Sequence, residues 1–170
     1  MMTALEIADA LSAFFPSTVI RFRPGATSGN RALALPYVDC RAVMQRLDDV
    51  LGLDGWQDSY EVLSDGSVVC TLRCRIGDAW ITRQDVGSPS EQPDEGDRRK
   101  AAFSDALKRA AVKFGVGRYL YQLPPIWADY NPQTKKFVKP PQLPATQVPT
   151  RQPTTPATAE AQRRDLTRGS

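Results

Sequence analysis

The segment at residues 97–114, DRRKAAFSDALKRAAVKF, decides how this chain folds. Its apolar residues recur every three or four positions, which predicts an amphipathic helix across the whole segment. They are Phe103, Leu107, Ala110 and Phe114. Gly115 and Gly117 follow and are typical of a helix C-terminus. The opposite side carries cations, namely Arg98, Arg109 and Lys113, with Lys108 beside them.

Positive charge is concentrated on this segment. The 170-residue chain has 22 Lys and Arg against 19 Asp and Glu, a net charge of +3. Residues 139–170 hold five of the cations and two of the acids, so residues 1–138 are neutral overall. Residues 98–118, by contrast, contain seven cations and one acid. A one-sided basic helix is typical of phosphate binding, but a solvated face with Asp105 paired to Arg109 explains the pattern equally well.

The rest of the chain predicts one α+β domain over residues 1–138. A capping-box pattern at Thr3 and Glu6 predicts a first helix through Phe14, and Asp39 is expected to cap a second helix. Between them we expect a strand at residues 19–23 and a loop at 24–30. A three-stranded antiparallel meander follows, with strands at residues 56–63, 68–76 and 80–86. An acidic loop at 87–95 then leads into the long basic helix, so the predicted order is helix–strand–helix–meander–helix.

Residues 139–170 are expected to form a separate tail. They are rich in Pro and Thr and hold almost no large apolar residue. Such a segment cannot bury enough surface to offset the entropy of ordering it. The sequence therefore predicts a disordered, basic C-terminal tail.

Composition argues against most enzyme classes. The chain has no His, which removes His-based nucleophile chemistry and His-containing metal sites. Three cysteines without a secretion signal indicate free thiols in a reducing cytoplasm. Five acids could hold Mg²⁺ in a nuclease, but most lie in or beside a Gly/Pro loop and are better explained as solvated: Asp85, Glu91, Asp94, Glu95 and Asp97. We therefore predict no enzyme activity, no cofactor and no metal.

Other residues could extend a basic surface. Arg73 and Arg75 share the polar face of the middle meander strand, with Arg83 one strand over. Several aromatic residues could stack on bases, although packing is the expected role for most of them. They are Trp56, Trp80, Tyr119, Tyr121 and Trp127.

Three blocks resemble the Rad52/22 family of double-strand-break repair proteins, which anneal single strands. The first runs from Tyr37-Val38-Asp39 through a helix to Gly52-Leu53-Asp54-Gly55-Trp56. The second is Asp85-Val86-Gly87, and the third extends from Lys100 to Pro124. The third block looks most like the short bacterial branch, the DNA damage response protein A type. The resemblance covers about residues 18–125.

This resemblance implies a non-catalytic protein that binds single-stranded DNA, protects its ends or anneals complementary strands. It further implies rings of many subunits with DNA in a basic groove, in the cytoplasm of a bacterial or phage-infected cell and associated with the nucleoid. No membrane or small-molecule partner is expected. Lys108 and Arg109 match the pair that lines the family's inner groove, whereas Lys113 and Arg41 each lie one position from a basic family position. The full set of expected DNA contacts is Lys108, Arg109, Lys113, Arg98, Arg41, Arg73, Arg75 and Arg118.

Three other functions are compatible with parts of the sequence. A double-stranded RNA-binding module shares the helix–strands–helix order and a basic cluster at the last helix, but usually uses a His-bearing loop. A metal-dependent nuclease would use the acids around residue 91. A structural ring or scaffold protein would use its basic helix to contact acidic partner subunits.

Overall fold

The computed structural model describes residues 1–143 and confirms a mixed α+β fold. Its helices are α1 (Ala4–Leu11), α2 (Cys40–Leu51) and α3 (Glu95–Val112). Two short 3₁₀ helices lie at Ser17–Val19 and Arg118–Gln122. The strands are β1 (Arg21–Ser28), β2 (Arg31–Tyr37), β3 (Trp56–Val62), β4 (Val68–Ile76), β5 (Ala79–Gly87), β6 (Trp127–Asn131) and β7 (Lys136–Phe137).

The predicted meander is confirmed as a three-stranded antiparallel sheet in the order β3–β4–β5. The central strand turns Val68, Cys70, Leu72 and Cys74 inward, and all four are fully buried. α3 packs across β4 and β5 on this inner face. Burial raises the pKa of the Cys70 thiol to about 11 and that of Cys74 to about 12, so both are protonated thiols that pack as core residues.

α3 contacts the meander through alanine. Its buried residues are Ala102, Ala106, Leu107, Ala110 and Ala111. The predicted stripe is therefore rotated, because Phe103 and Phe114 lie half-buried at its margin. Small side chains let the helix approach the sheet closely, which the sequence periodicity alone did not reveal.

The ends of α3 differ slightly from the prediction. Asp94 caps the start, where its carboxylate accepts the Asp97 N–H at 2.9 Å, and the helix begins at Glu95. It ends at Val112, two residues early, and continues into a turn with Gly115 (φ +99°) and Gly117 (φ +69°). The predicted glycine stop is thus confirmed, since both glycines adopt a backbone conformation that other residues rarely tolerate.

The predicted loop at residues 24–30 is wrong. β1 continues to Ser28, and the chain turns at Gly29 into β2 as an antiparallel hairpin. Pro24 is accommodated by a bulge, seen as a register shift between Pro24 and Thr27. β2 also pairs with β6, and β6 with β7, giving a second sheet in the order β1–β2–β6–β7. The predicted element order therefore lacked β2, β6 and β7.

Polar contacts fix the first two helices against each other. The expected capping box at Thr3 and Glu6 is present, but α1 ends at Leu11, three residues before Phe14. Arg46 of α2 donates to main-chain carbonyls in the last turn of α1 and just beyond that helix, including Ala13 O at 2.6 Å. Its guanidinium lies 4.2 Å from the Phe15 ring centre. Asp39 caps α2, as predicted, by accepting the Ala42 N–H at 3.0 Å.

The described chain extends into the predicted tail. Leu143 packs against the hydrophobic core. The rest of the tail prediction, residues 144–170, lies outside the described residues. Within residues 1–143, no helix is long and apolar enough to cross a membrane.

Candidate nucleic-acid interface

Lys108 lies where α3 crosses the end of β2 and the start of α2. Its ammonium is 5.4 Å from the centre of the Tyr37 ring. It also lies near Cys40, where burial raises the thiol pKa and the Lys108 charge partly opposes that rise. Arg41 is exposed on the first turn of α2, one residue further on. This corner therefore presents a cation beside an aromatic face.

Arg109 and Lys113 turn toward β5, where both meet Asp85. Arg109 Nε is 3.3 Å from Asp85 Oδ1, and Lys113 Nζ is 3.4 Å from Asp85 Oδ2. Lys113 also donates to the Gln84 carbonyl. Burial alone would raise the pKa of Asp85, but the Val86 N–H and the two cations lower it overall. Asp85 is therefore ionised at neutral pH and bridges both cations.

This arrangement differs from the Asp105–Arg109 pairing that the sequence left open as one alternative. Arg109 is paired with Asp85, whereas the Asp105 carboxylate accepts the Ser88 N–H at 3.3 Å. Asp85 belongs to β5 and is not a solvated loop acid. The sequence placed Asp85 in the third predicted strand but did not reveal its ion pairs, because both partners come from a distant part of the chain.

An open groove of about 320 Å³ continues from Arg109 toward the 3₁₀ helix that follows α3. It is lined by Asp85, Arg109, Val112, Arg118, Tyr121 and Gln122. Arg118 Nε donates to the Val112 carbonyl at 2.9 Å, which holds its guanidinium at the C-terminal end of α3. A cation is favourable there because the last carbonyls of a helix carry partial negative charge. We call these six residues the edge groove.

The first turns of α3 are not part of this surface. Arg98 donates to the Gln92 and Pro93 carbonyls, both at 2.8 Å, and so holds the preceding loop. Arg99 pairs with Glu95 at 2.8 Å and Lys100 with Asp97 at 3.3 Å. The helix contains five cations and three acids between Glu95 and Val112. α3 is therefore less basic than the charge count for residues 98–118 suggested.

Arg73 and Arg75 lie on the other side of the meander. They share a face with Trp80 and Thr82, their partners on β5, and that face points away from α3. The Arg73 guanidinium lies 5.3 Å from the Trp80 ring centre. Arg83 lies instead on the α3 side, 5.8 Å from the Phe114 ring centre, so it does not extend the Arg73 surface.

The predicted contacts therefore divide among separate places. Lys108 and Arg109 are adjacent on α3, where Lys108 is half-buried against Tyr37 and Arg109 is exposed beside Asp85. We call this pair the Lys108–Arg109 ridge, and Lys113 and Arg118 follow it beyond the end of the helix. Among the aromatic candidates, Tyr121 is the most exposed, whereas Trp56 donates to Asp48 at 2.7 Å as a packing residue. Sequence reasoning did not assign Tyr37 to the site. In the described part of the chain, no group of His, Cys, Asp or Glu is arranged to hold a metal ion.

The chain belongs to the Rad52/22 family of double-strand break repair proteins. The sequence model of that family matches residues 4–137, which include both sheets and α3. The match therefore covers the fold and the Lys108–Arg109 ridge together, and it confirms the resemblance that the three blocks indicated.

Two bacterial relatives carry the name "Single-stranded DNA-binding protein DdrA". The protein of Deinococcus deserti is 41% identical over 147 residues, covering 84% of this chain and 70% of that protein. The protein of Deinococcus radiodurans is 41% identical over 145 residues, covering 84% of this chain and 68% of its own length. Both are similar to this chain across most of its described fold.

Proposed function

We propose that this protein binds single-stranded DNA in double-strand-break repair and recombination, without catalysis. Family membership and the names of the two relatives support this function. The observation that carries it is the Lys108–Arg109 ridge, where Lys108 has no acidic partner within residues 1–143 and faces Tyr37. Cations bind phosphates and aromatic rings stack on bases, and neither interaction needs a particular sequence.

Lys108 and Arg109 are the centre of the proposed site, with Arg41, Lys113 and Arg118 around it. In this proposal the strand follows α3 from Tyr37 beside Lys108 toward the edge groove that holds Arg109 and Arg118. Arg98 is engaged by loop carbonyls, and Arg73 with Arg75 would reach DNA only on a second surface. We therefore assign these three at most a secondary role.

We propose that the protein works as a ring of many subunits. The meander ends on both sides in strands, β3 and β5, that have no further neighbour among residues 1–143. Unpaired edge strands of this length are templates for pairing with another chain. Residues 1–138 are electrically neutral overall, so a continuous basic track would require the Lys108–Arg109 ridges of neighbouring subunits to align.

Asp85 restrains the site in this proposal, because it occupies the two cations that a phosphate would need. Replacing Asp85 by Asn should raise affinity for single-stranded DNA several-fold. The salt dependence should also steepen, since each further phosphate contact adds about 0.7 to the logarithmic slope. Fluorescence anisotropy at several salt concentrations measures both, with Asp105→Asn as the matched control. Weaker binding by Asp85→Asn would show instead that Asp85 mainly orients Arg109.

Binding itself is tested with labelled oligo(dT), with duplex DNA and duplex RNA as competitors. We expect salt-sensitive binding that unlabelled single strands compete away far better than either duplex. Light scattering after size-exclusion chromatography should show a homo-oligomer with and without DNA. A monomer that ignores DNA would contradict the proposal. Preference for duplex RNA would favour the RNA-binding alternative, and cleavage with Mg²⁺ would favour the nuclease.

We further propose that the bound protein anneals complementary strands. A strand held by its backbone leaves base edges available for pairing, so complementary oligonucleotides should anneal faster with protein than without it. Fluorescence quenching between labelled complementary strands follows the rate. DNA binding with no rate gain would leave end protection as the function.

A further inference from the structure

Tyr121 stands apart from the other residues of its short helix. It is 75% exposed, whereas Leu120 is buried and Tyr119 is half-buried. The Tyr119 hydroxyl accepts the Phe15 N–H at 2.9 Å, and its ring packs edge-on against Phe14 at 4.3 Å. Tyr119 and Leu120 therefore fix the helix to the core, while Tyr121 is held in solvent on a rigid support.

The surroundings of Tyr121 are charged in a way that suits a nucleotide. Arg109 and Arg118 line the same edge groove, and Gln122 adds an amide. The Arg118 guanidinium is held by the Val112 carbonyl at 2.9 Å, whereas Arg109 is paired with Asp85 at 3.3 Å, and a phosphate would compete for it. An exposed aromatic ring that shares a groove with two cations combines the two requirements for single-strand binding, which are backbone charge and base stacking.

We propose that Tyr121 is a base-stacking platform, and that Arg109 and Arg118 hold the phosphates on either side of the stacked nucleotide. The inference rests on the proposed single-stranded DNA binding and adds a defined subsite to it. Because every base has a π-face, the subsite accepts any base and confers no sequence preference. It lies at the end of the strand path that begins at Lys108 and Tyr37.

The test separates stacking from charge by changing both protein and DNA. Tyr121→Ala should weaken binding to oligo(dT) by about five- to a hundredfold, because stacking on one aromatic residue accounts for that range. Tyr121→Phe keeps the ring and should bind like the unchanged protein. With an abasic oligonucleotide, which has the same phosphates but no bases, Tyr121→Ala and the unchanged protein should bind equally. The salt slope should not change, since no cation is lost.

Each other outcome has a separate meaning. Equal oligo(dT) affinity for Tyr121→Ala and the unchanged protein would overturn the stacking role. Equal weakening on normal and abasic DNA would overturn it as well. A lower oligomer mass by light scattering would show that Tyr121 contacts a neighbouring subunit instead. If the unchanged protein binds no single-stranded DNA, the proposed function itself is contradicted, whatever the Tyr121 variants do.

Discussion

Replacing both Lys108 and Arg109 by alanine is expected to abolish most single-stranded DNA binding. A charge-assisted contact to phosphate typically accounts for about ten- to a hundredfold in affinity, and this variant removes two neighbouring ones. The logarithmic salt slope should flatten by about 1.4, which corresponds to two lost phosphate contacts. Arg109 is exposed, Lys108 is half-buried, and Asp85 keeps Lys113 as a partner, so the melting temperature should fall only slightly. Anisotropy titrations across salt concentrations measure affinity and slope together.

The matched control replaces Arg73 and Arg75 by alanine. It removes the same charge from the opposite face of the meander, so it tests position rather than net charge. We expect a much smaller loss of affinity from this variant. Equal losses from both pairs would contradict a site centred on α3 and would favour a second surface or non-specific attraction. Unchanged binding by the Lys108/Arg109 variant would place the DNA elsewhere on the protein.

Much of the meander could be predicted because its signals are local. β4 begins and ends at the predicted residues, 68 and 76, and its alternating residues separate buried from exposed faces. The β1–β2 hairpin was missed because Pro24 and Gly25 are typical of loops. β6 gave no local signal either, since its place depends on pairing with β2, where Arg31 lies opposite Asp129. Contacts this distant in sequence leave no periodic pattern.

The cations of the proposed site were named from the sequence, but their contacts within the fold were not. Lys108 and Arg109 stand out by type and position on an amphipathic helix. Helical spacing alone favoured Asp105 as the partner of Arg109, but the sheet register sets Asp85 opposite Cys70, on the face toward α3. That register, together with the approach of α3, decides which acid is within reach. Tyr121 likewise could not be distinguished from Tyr119 until the packing around each was known.

The second large effect concerns Gly87, on which the position of α3 depends. Gly87 is buried at the end of β5, directly beneath the helix. A Cβ there would lie 2.2 Å from the Ala102 carbonyl oxygen and 2.4 Å from the Ala106 nitrogen. Both are backbone atoms, so no side-chain rotation can relieve the contact. Gly87→Ala must therefore push α3 away from the sheet and separate the alanines that pack on it.

We expect Gly87→Ala to lower the free energy of unfolding by about 3 kcal/mol, at the upper end of the usual cost of overpacking a core. Denaturant titration measures it, with Gly77→Ala as the control. Gly77 has a positive φ (+63°) but nothing within 4 Å of its Cβ position, so that control carries only backbone strain. A smaller loss for Gly87→Ala than for Gly77→Ala would contradict the close packing.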